Sequence, residues 1–247
     1  MCHSDDSRPP AADDAVPAAS TSDLKLRSSD GNVLSAFTAR AAQPTGAGIV
    51  ILPDARGLHD FYRQLAVRFA EVGIDAVAVD YFGRTANTDD RSDAFEFTPH
   101  VQQTTPEGVA ADVAAAVAHL RSGDGGAVSS VFTVGFCFGG GYSWRQSADT
   151  PGLSGAIGFY GRPTAAAEVT DRMTAPLLML VAGADAHIPV ADVEAVAEKA
   201  RAAGVEADFV SYDGAPHSFF DRTYTEHADA AADAWRRIRT FVHAHAG

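Results

Sequence analysis

The sequence predicts an α/β protein: a mostly parallel central sheet with helices on both faces, opened by an N-terminal hairpin. Three observations carry that reading. Short continuous runs of β-branched and other apolar residues recur along the chain, as strands buried on both faces require. Segments with helical apolar spacing alternate with those runs, which is the order that builds a parallel sheet. Ahead of the series, Asp30-Gly31 separates two alternating runs, a strong short-range hairpin signal.

Taken in order, residues 1–22 are rich in Asp, Ala, Pro and Ser, lack an apolar face, and read as an extended arm. DLKLRSSDGNVLSAFTA supplies the hairpin. GIVILPD (48–54) is a buried strand. Leu58 to Val72 is a helix, with Phe61, Leu65, Val67, Phe69 and Val72 spaced among polar residues. DAVAVD (75–80) is the next strand, after a turn at Gly73. Residues 82–106 show no sustained period, hold scattered charges and Pro99, and are expected to form a long excursion able to cover a pocket. Glu107 to Leu120 reads as an alanine-rich helix, and AVSSVFTVGF (127–136) as a strand running straight into Cys137. Phe138 to Arg145 can be a helix, and LSGAIGFYG (153–161) and PLLMLVAG (176–183) are strands. Pro189 to Ala203 is helical, VEADFVSY (205–212) is the last strand, and Ala228 to His243 is a final amphipathic helix. With no internal repeat and no second break in composition, residues 23–247 are expected to form one domain.

Composition bounds the function. A chain of 247 residues, 46% hydrophobic and 21% charged, can bury a sizeable core. Lys+Arg 19 against Asp+Glu 32 leaves a formal charge of −13 without a basic cluster, which argues against nucleic acid as a partner. No run approaches the ~18 apolar residues of a membrane span. The first residues lack the basic and apolar regions of a secretory leader. A cytoplasmic protein, monomeric or weakly homo-oligomeric and without membrane contact, is expected. The two cysteines, Cys2 and Cys137, stand too far apart for a disulfide framework or a zinc set, so no metal is expected.

Reactive groups in such sheets collect at the carboxyl ends of strands, and three candidates fall there. Gly135-Phe136-Cys137-Phe138-Gly139 lies where a strand meets a helix. Glycines two residues to either side leave room for a tight, strained turn. The helix that follows aims its free N–H groups and positive dipole end at the thiol and at a developing oxyanion. The motif alone would equally suit a packing cysteine. Asp185 follows the strand at 176–183, where a helix-capping aspartate would also stand. His217 follows the strand at 205–212, in a loop where surface histidines are common. The chain order nucleophile, acid, histidine suits a base that takes the thiol proton and an acid that orients the base. His187 is expected to point into solvent. Arg56 and His59 share the loop after 48–54 and are further pocket candidates. Tyr81, Phe82, Phe138, Tyr160 and Phe219 read as core or pocket wall.

From Asp23 onward these residues resemble the dienelactone hydrolase family of the α/β-hydrolase superfamily. The elbow GFCFGG is specific, because most relatives in the superfamily carry serine there. The resemblance implies an α/β-hydrolase fold, a triad of Cys137, Asp185 and His217, and oxyanion donors in the backbone N–H groups of Phe138 and Ala55. It also implies a carboxylate beside the resting thiol, where Asp54 replaces the family's usual glutamate. Two arginines are implied for a substrate carboxylate. Arg84, in DYFGR, matches the first, while the position of the second holds Asp221, with Arg222 next to it. The implied reaction uses no cofactor. It opens a carboxylate-bearing enol-lactone, 4-carboxymethylenebut-2-en-4-olide, to maleylacetate, as in the breakdown of chlorinated aromatics. Two alternatives stay open. Asp54 and Asp221 suit a short-chain carboxylesterase or thioesterase with neutral substrates, and the same fold can serve as a non-catalytic binding module.

Overall fold

The computed structural model describes residues 8–221 and 223–247. The expected hairpin is formed by β1 (Ser20–Arg27) and β2 (Val33–Arg40). At its turn Gly31 adopts φ +88°, a left-handed conformation that glycine enters at little cost. The remaining strands are β3 (Ala47–Leu52), β4 (Asp75–Val79), β5 (Ser130–Phe136), β6 (Gly155–Phe159), β7 (Leu177–Ala182) and β8 (Ala207–Tyr212). The helices are α1 (Asp60–Glu71), α2 (Thr98–Gln103), α3 (Pro106–Arg121), α4 (Phe138–Asp149), α5 (Thr164–Ala167), α6 (Val190–Ala202) and α7 (Ala228–His245). One sheet holds all eight strands in the order β1-β2-β4-β3-β5-β6-β7-β8. β1 and β2 run antiparallel to each other, β2 is antiparallel to β4, and every other pairing is parallel. The predicted α/β architecture is therefore the observed one.

Alternation along each buried strand feeds two cores, one on each face of the sheet. Val50 and Leu52 of β3 join one core, with Val113 and Ala116 of α3, Trp144 of α4 and Val193 of α6. Ile49 and Ile51 join the other, with Phe61, Leu65 and Phe69 of α1 and Trp235, Ile238 and Phe241 of α7. Each fully buried Leu, Ile or Phe contributes about 1.5–3 kcal/mol to the folded state. Ahead of β1, the chain lies on the body. Val16 N–H donates to Glu71 O at 2.9 Å, and Arg239 donates to Asp14 at 2.8 Å.

The stretch 82–106 is more ordered than its lack of period suggested. It opens with a 3-10 turn at Tyr81–Arg84 and contains the short helix α2. Four contacts help to hold it. Arg91 pairs with Asp80 at 2.8 Å, both side chains being buried. The Arg91 guanidinium also stacks over Phe95 at 4.2 Å, and Phe95 in turn stacks on His100 at 5.1 Å. Arg56 pairs with Asp93 at 2.6 Å. These contacts join single side chains at irregular spacing, and they leave no 3.6-residue period to read. Among the described residues, no helix is long and apolar enough to cross a membrane.

Candidate active site

β5 ends at Phe136 and α4 begins at Phe138, so Cys137 forms the corner between them. Its φ of +53° and ψ of −111° are strained for a residue with a Cβ. The neighbours hold the corner in place. Cys137 N–H donates to Phe159 O at 3.0 Å, and Gly140 N–H donates to Cys137 O at 3.0 Å. The predicted glycines are needed for contact: a Cβ on Gly139 would stand 2.2 Å from Leu52 O, and one on Gly135 would stand 2.0 Å from Gly139 O. Two other non-glycine residues beside this corner, Tyr160 at φ +34° and Ser218 at φ +68°, are also left-handed.

The loops after β7 and β8 bring Asp185 and His217 together. His217 Nδ1 lies 2.6 Å from Asp185 Oδ2. Asp185 Oδ1 accepts the N–H groups of His187 at 2.9 Å and Ile188 at 3.2 Å, which fixes the carboxylate before it meets the imidazole. His217 also interacts with the Cys137 side chain, which lines the same cavity. Burial opposes the charged imidazole. The hydrogen bonds and negative charges of Cys137 and Asp185 outweigh it, and the pKa of His217 is pushed up to about 9. Tyr160 packs its ring 4.8 Å from that imidazole.

Asp54, in the loop after β3, is fully buried. Its Oδ1 accepts Arg56 N–H at 2.9 Å, and its own N–H donates to the Tyr62 hydroxyl at 3.1 Å. The Tyr81 hydroxyl donates into the same loop, to the Pro53 and Asp54 carbonyls. Burial raises the Tyr81 pKa first, and the nearby negative charges of Asp54, Asp80 and Cys137 add to that, so this phenol stays neutral.

Cys137, His217, Asp54, Ala55 and Phe138 line one cavity of about 670 Å³. Thus the predicted thiol, base, carboxylate and both predicted oxyanion positions share one space, with Asp185 behind His217. Arg56, Phe97, Val101, Arg162, His187, Ile188 and Ser218 complete the wall. A larger open groove of about 980 Å³ runs along α7, lined by Trp235, Arg236, Arg239 and His243 among others, and contains none of the predicted site residues.

Several expected positions lie elsewhere. Arg84 is not in the cavity wall. Its guanidinium grips Asp112 of α3 with Nε at 2.9 Å and a second nitrogen at 2.8 Å, and it also pairs with Asp30 of the hairpin turn. The carboxylate of Asp112 is fully buried, so Arg84 is held as its counterion. Asp221 is buried and accepts the Tyr160 hydroxyl at 2.7 Å. His59 caps α1, accepting Phe61 N–H at 3.2 Å, and leaves the wall to Arg56. Arg222 lies outside the described residues. Sequence reasoning passed over Arg162, although it follows β6 at the same carboxyl edge that marked the other candidates. Phe97 and Val101 had no signal beyond belonging to the excursion. His187 is exposed, as expected, yet it forms part of the cavity wall.

Comparison with known proteins adds an independent line. The family model described as "Dienelactone hydrolase family" matches residues 34–246. The chain is 30% identical over 239 residues to an Escherichia coli K12 protein named "Putative carboxymethylenebutenolidase", covering 92% of this chain and 86% of that one. A Methylorubrum extorquens protein of the same name is 29% identical over 232 residues, covering 88% and 78%. Among solved structures, a Klebsiella pneumoniae protein called "Putative Dienelactone Hydrolase" superposes with a TM-score of 0.73 at 25% identity, over 90% of this chain and 98% of that one. A dienelactone hydrolase-like promiscuous phosphotriesterase from metagenomic libraries gives a TM-score of 0.76 at 23% identity, over 93% and 100%, and supports the fold alone.

Proposed function

The chain belongs to the dienelactone hydrolase family, and on that basis we propose that this hydrolase cleaves carboxylic esters or lactones through a thioester on Cys137. The observation that carries the reading is His217, which holds Asp185 through Nδ1 at 2.6 Å, interacts with Cys137 and lines the same cavity as that thiol.

A Cys137 thiolate and a His217 imidazolium stabilise each other, and the N-terminus of α4 adds its positive end to the thiolate. The thiolate attacks the substrate carbonyl carbon. The backbone N–H groups of Phe138 and Ala55 receive the oxyanion. As the intermediate collapses, the carbon–oxygen bond breaks and the leaving alkoxide takes the proton of His217. Acylation removes the negative charge of Cys137, which helped hold His217 protonated. The imidazole is then neutral and can act as base. It takes a proton from water as the hydroxide adds to the thioester, and loss of the acid returns the thiolate and the imidazolium. Asp185 keeps the ring in the orientation that serves both steps.

Family resemblance favours a small enol-lactone as substrate. The engagement of Arg84 by Asp112 and Asp30 favours a second reading, short neutral esters, because it removes the first expected partner of a substrate carboxylate. The test of the common mechanism is Cys137→Ala. The variant should keep the circular dichroism of the wild type and lose turnover of both a dienelactone and an aryl acetate, while mass spectrometry of quenched wild type detects an acyl adduct on Cys137. Turnover retained by Cys137→Ala would overturn it.

A further inference from the structure

Two arginines line the cavity that holds Cys137, in different electrostatic situations. The Arg56 side chain is buried and its guanidinium meets Asp93 at 2.6 Å, so its charge is compensated within the protein. Arg162 is exposed to the cavity and, among the described residues, pairs with no carboxylate. Arg84, outside the wall, already holds two carboxylates.

Arg162 is nonetheless well placed. Tyr160 turns the chain left-handed at the end of β6, and Gly161 presses onto the first turn of α4. A Cβ on Gly161 would stand 2.3 Å from Gly141 N, and one on Gly141 would stand 2.3 Å from Arg162 O. Residue 162 therefore leaves the sheet against the same helix that Cys137 begins, and backbone packing alone anchors its Cα. The same cavity is lined by the apolar Phe97, Val101 and Ile188. A guanidinium there offers a two-pronged donor matched to a carboxylate. In a chain of net charge −13, anions are repelled at long range, so their capture requires such a local cation.

We propose that Arg162 is the specificity-determining residue of this cavity, binding a carboxylate carried by the substrate. Its preferred substrates are then esters or lactones with a second, anionic carboxyl group, in preference to neutral ones. This inference rests on the hydrolase reading given above.

The test compares two aryl esters, one of butyric acid and one a monoester of glutaric acid, in wild type, Arg162→Gln and Arg162→Lys. In Arg162→Gln the ratio of kcat/KM for the anionic over the neutral ester should fall roughly tenfold or more, through KM of the anionic ester. Arg162→Lys, which keeps the charge but not the fork, should recover part of that ratio, and added salt should lower the wild-type ratio. An unchanged ratio in Arg162→Gln overturns the inference while the hydrolase reading stands. If wild type turns over neither ester, the hydrolase reading fails, and calorimetry with glutarate decides the site. Binding lost in Arg162→Gln supports it, and binding that is equal in both proteins or absent from wild type overturns it.

Discussion

Asp185 holds His217 by one oxygen, at 2.6 Å from Nδ1, and is itself held by its other oxygen through the backbone N–H groups of His187 and Ile188. The carboxylate is thus oriented by the loop that carries it, and the imidazole is oriented by the carboxylate. Replacing it with asparagine keeps the shape but puts an amide where the ring needs an acceptor. Asp185→Asn should lower kcat on an aryl ester by roughly a thousandfold or more, with little change in KM. Steady-state kinetics check this, and a loss below tenfold would refute an orienting role.

His217 should titrate near 9 in the wild type, because the charges of Cys137 and Asp185 favour the imidazolium. In Cys137→Ala, a nuclear magnetic resonance titration of the ring should show a lower pKa, since one of the two negative partners is gone. The linked stability has a definite sign. The raised pKa gives a contribution fully present below the ordinary value of 6.5, which fades as pH rises from there through about 9. The decline of wild-type stability across that window should be shallower in Cys137→Ala, as urea unfolding at a series of pH values can measure.

Gly139→Ala should damage the elbow directly. The added methyl would stand 2.2 Å from Leu52 O and 2.3 Å from Pro53 O, both backbone atoms that cannot rotate aside. We expect a destabilisation of about 3 kcal/mol, seen as a lower urea midpoint, together with a fall in kcat as Cys137 and the Phe138 N–H shift. Wild-type stability in this variant would show that α4 can move away from β3 at little cost.

Arg84→Gln tests the position expected to bind a substrate carboxylate. Its partner Asp112 is fully buried, and losing the guanidinium leaves that charge largely uncompensated. A loss of about 2–3 kcal/mol is expected, less than for a fully buried pair because Arg84 is partly exposed. The preference between an anionic and a neutral ester should stay at the wild-type ratio. A selective loss on the anionic ester would return Arg84 to substrate recognition.

Strands, most helices and the elbow were legible because their signals are local: a β-branched run, a 3.6-residue spacing, or glycines two residues from a thiol. Cys137, Asp185 and His217 could be chosen together because each follows a strand, and a parallel sheet gathers such positions at one edge. α2 was missed for the opposite reason. Its six residues bury no side chain of their own, and its surroundings are held by Arg91 on Asp80 and Phe95 on His100.

What the sequence determined by itself is the architecture and the choice of Cys137, Asp185 and His217 as the candidate thiol, acid and base, since these follow from patterns within a few residues and from strand order. Only the tertiary structure decided which arginine faces the cavity. A guanidinium reaches whichever carboxylate the fold brings near it. The packing of the hairpin on α3 gives Arg84 to Asp112 and Asp30, whereas the turn after β6 leaves Arg162 beside the elbow with no carboxylate partner among the described residues.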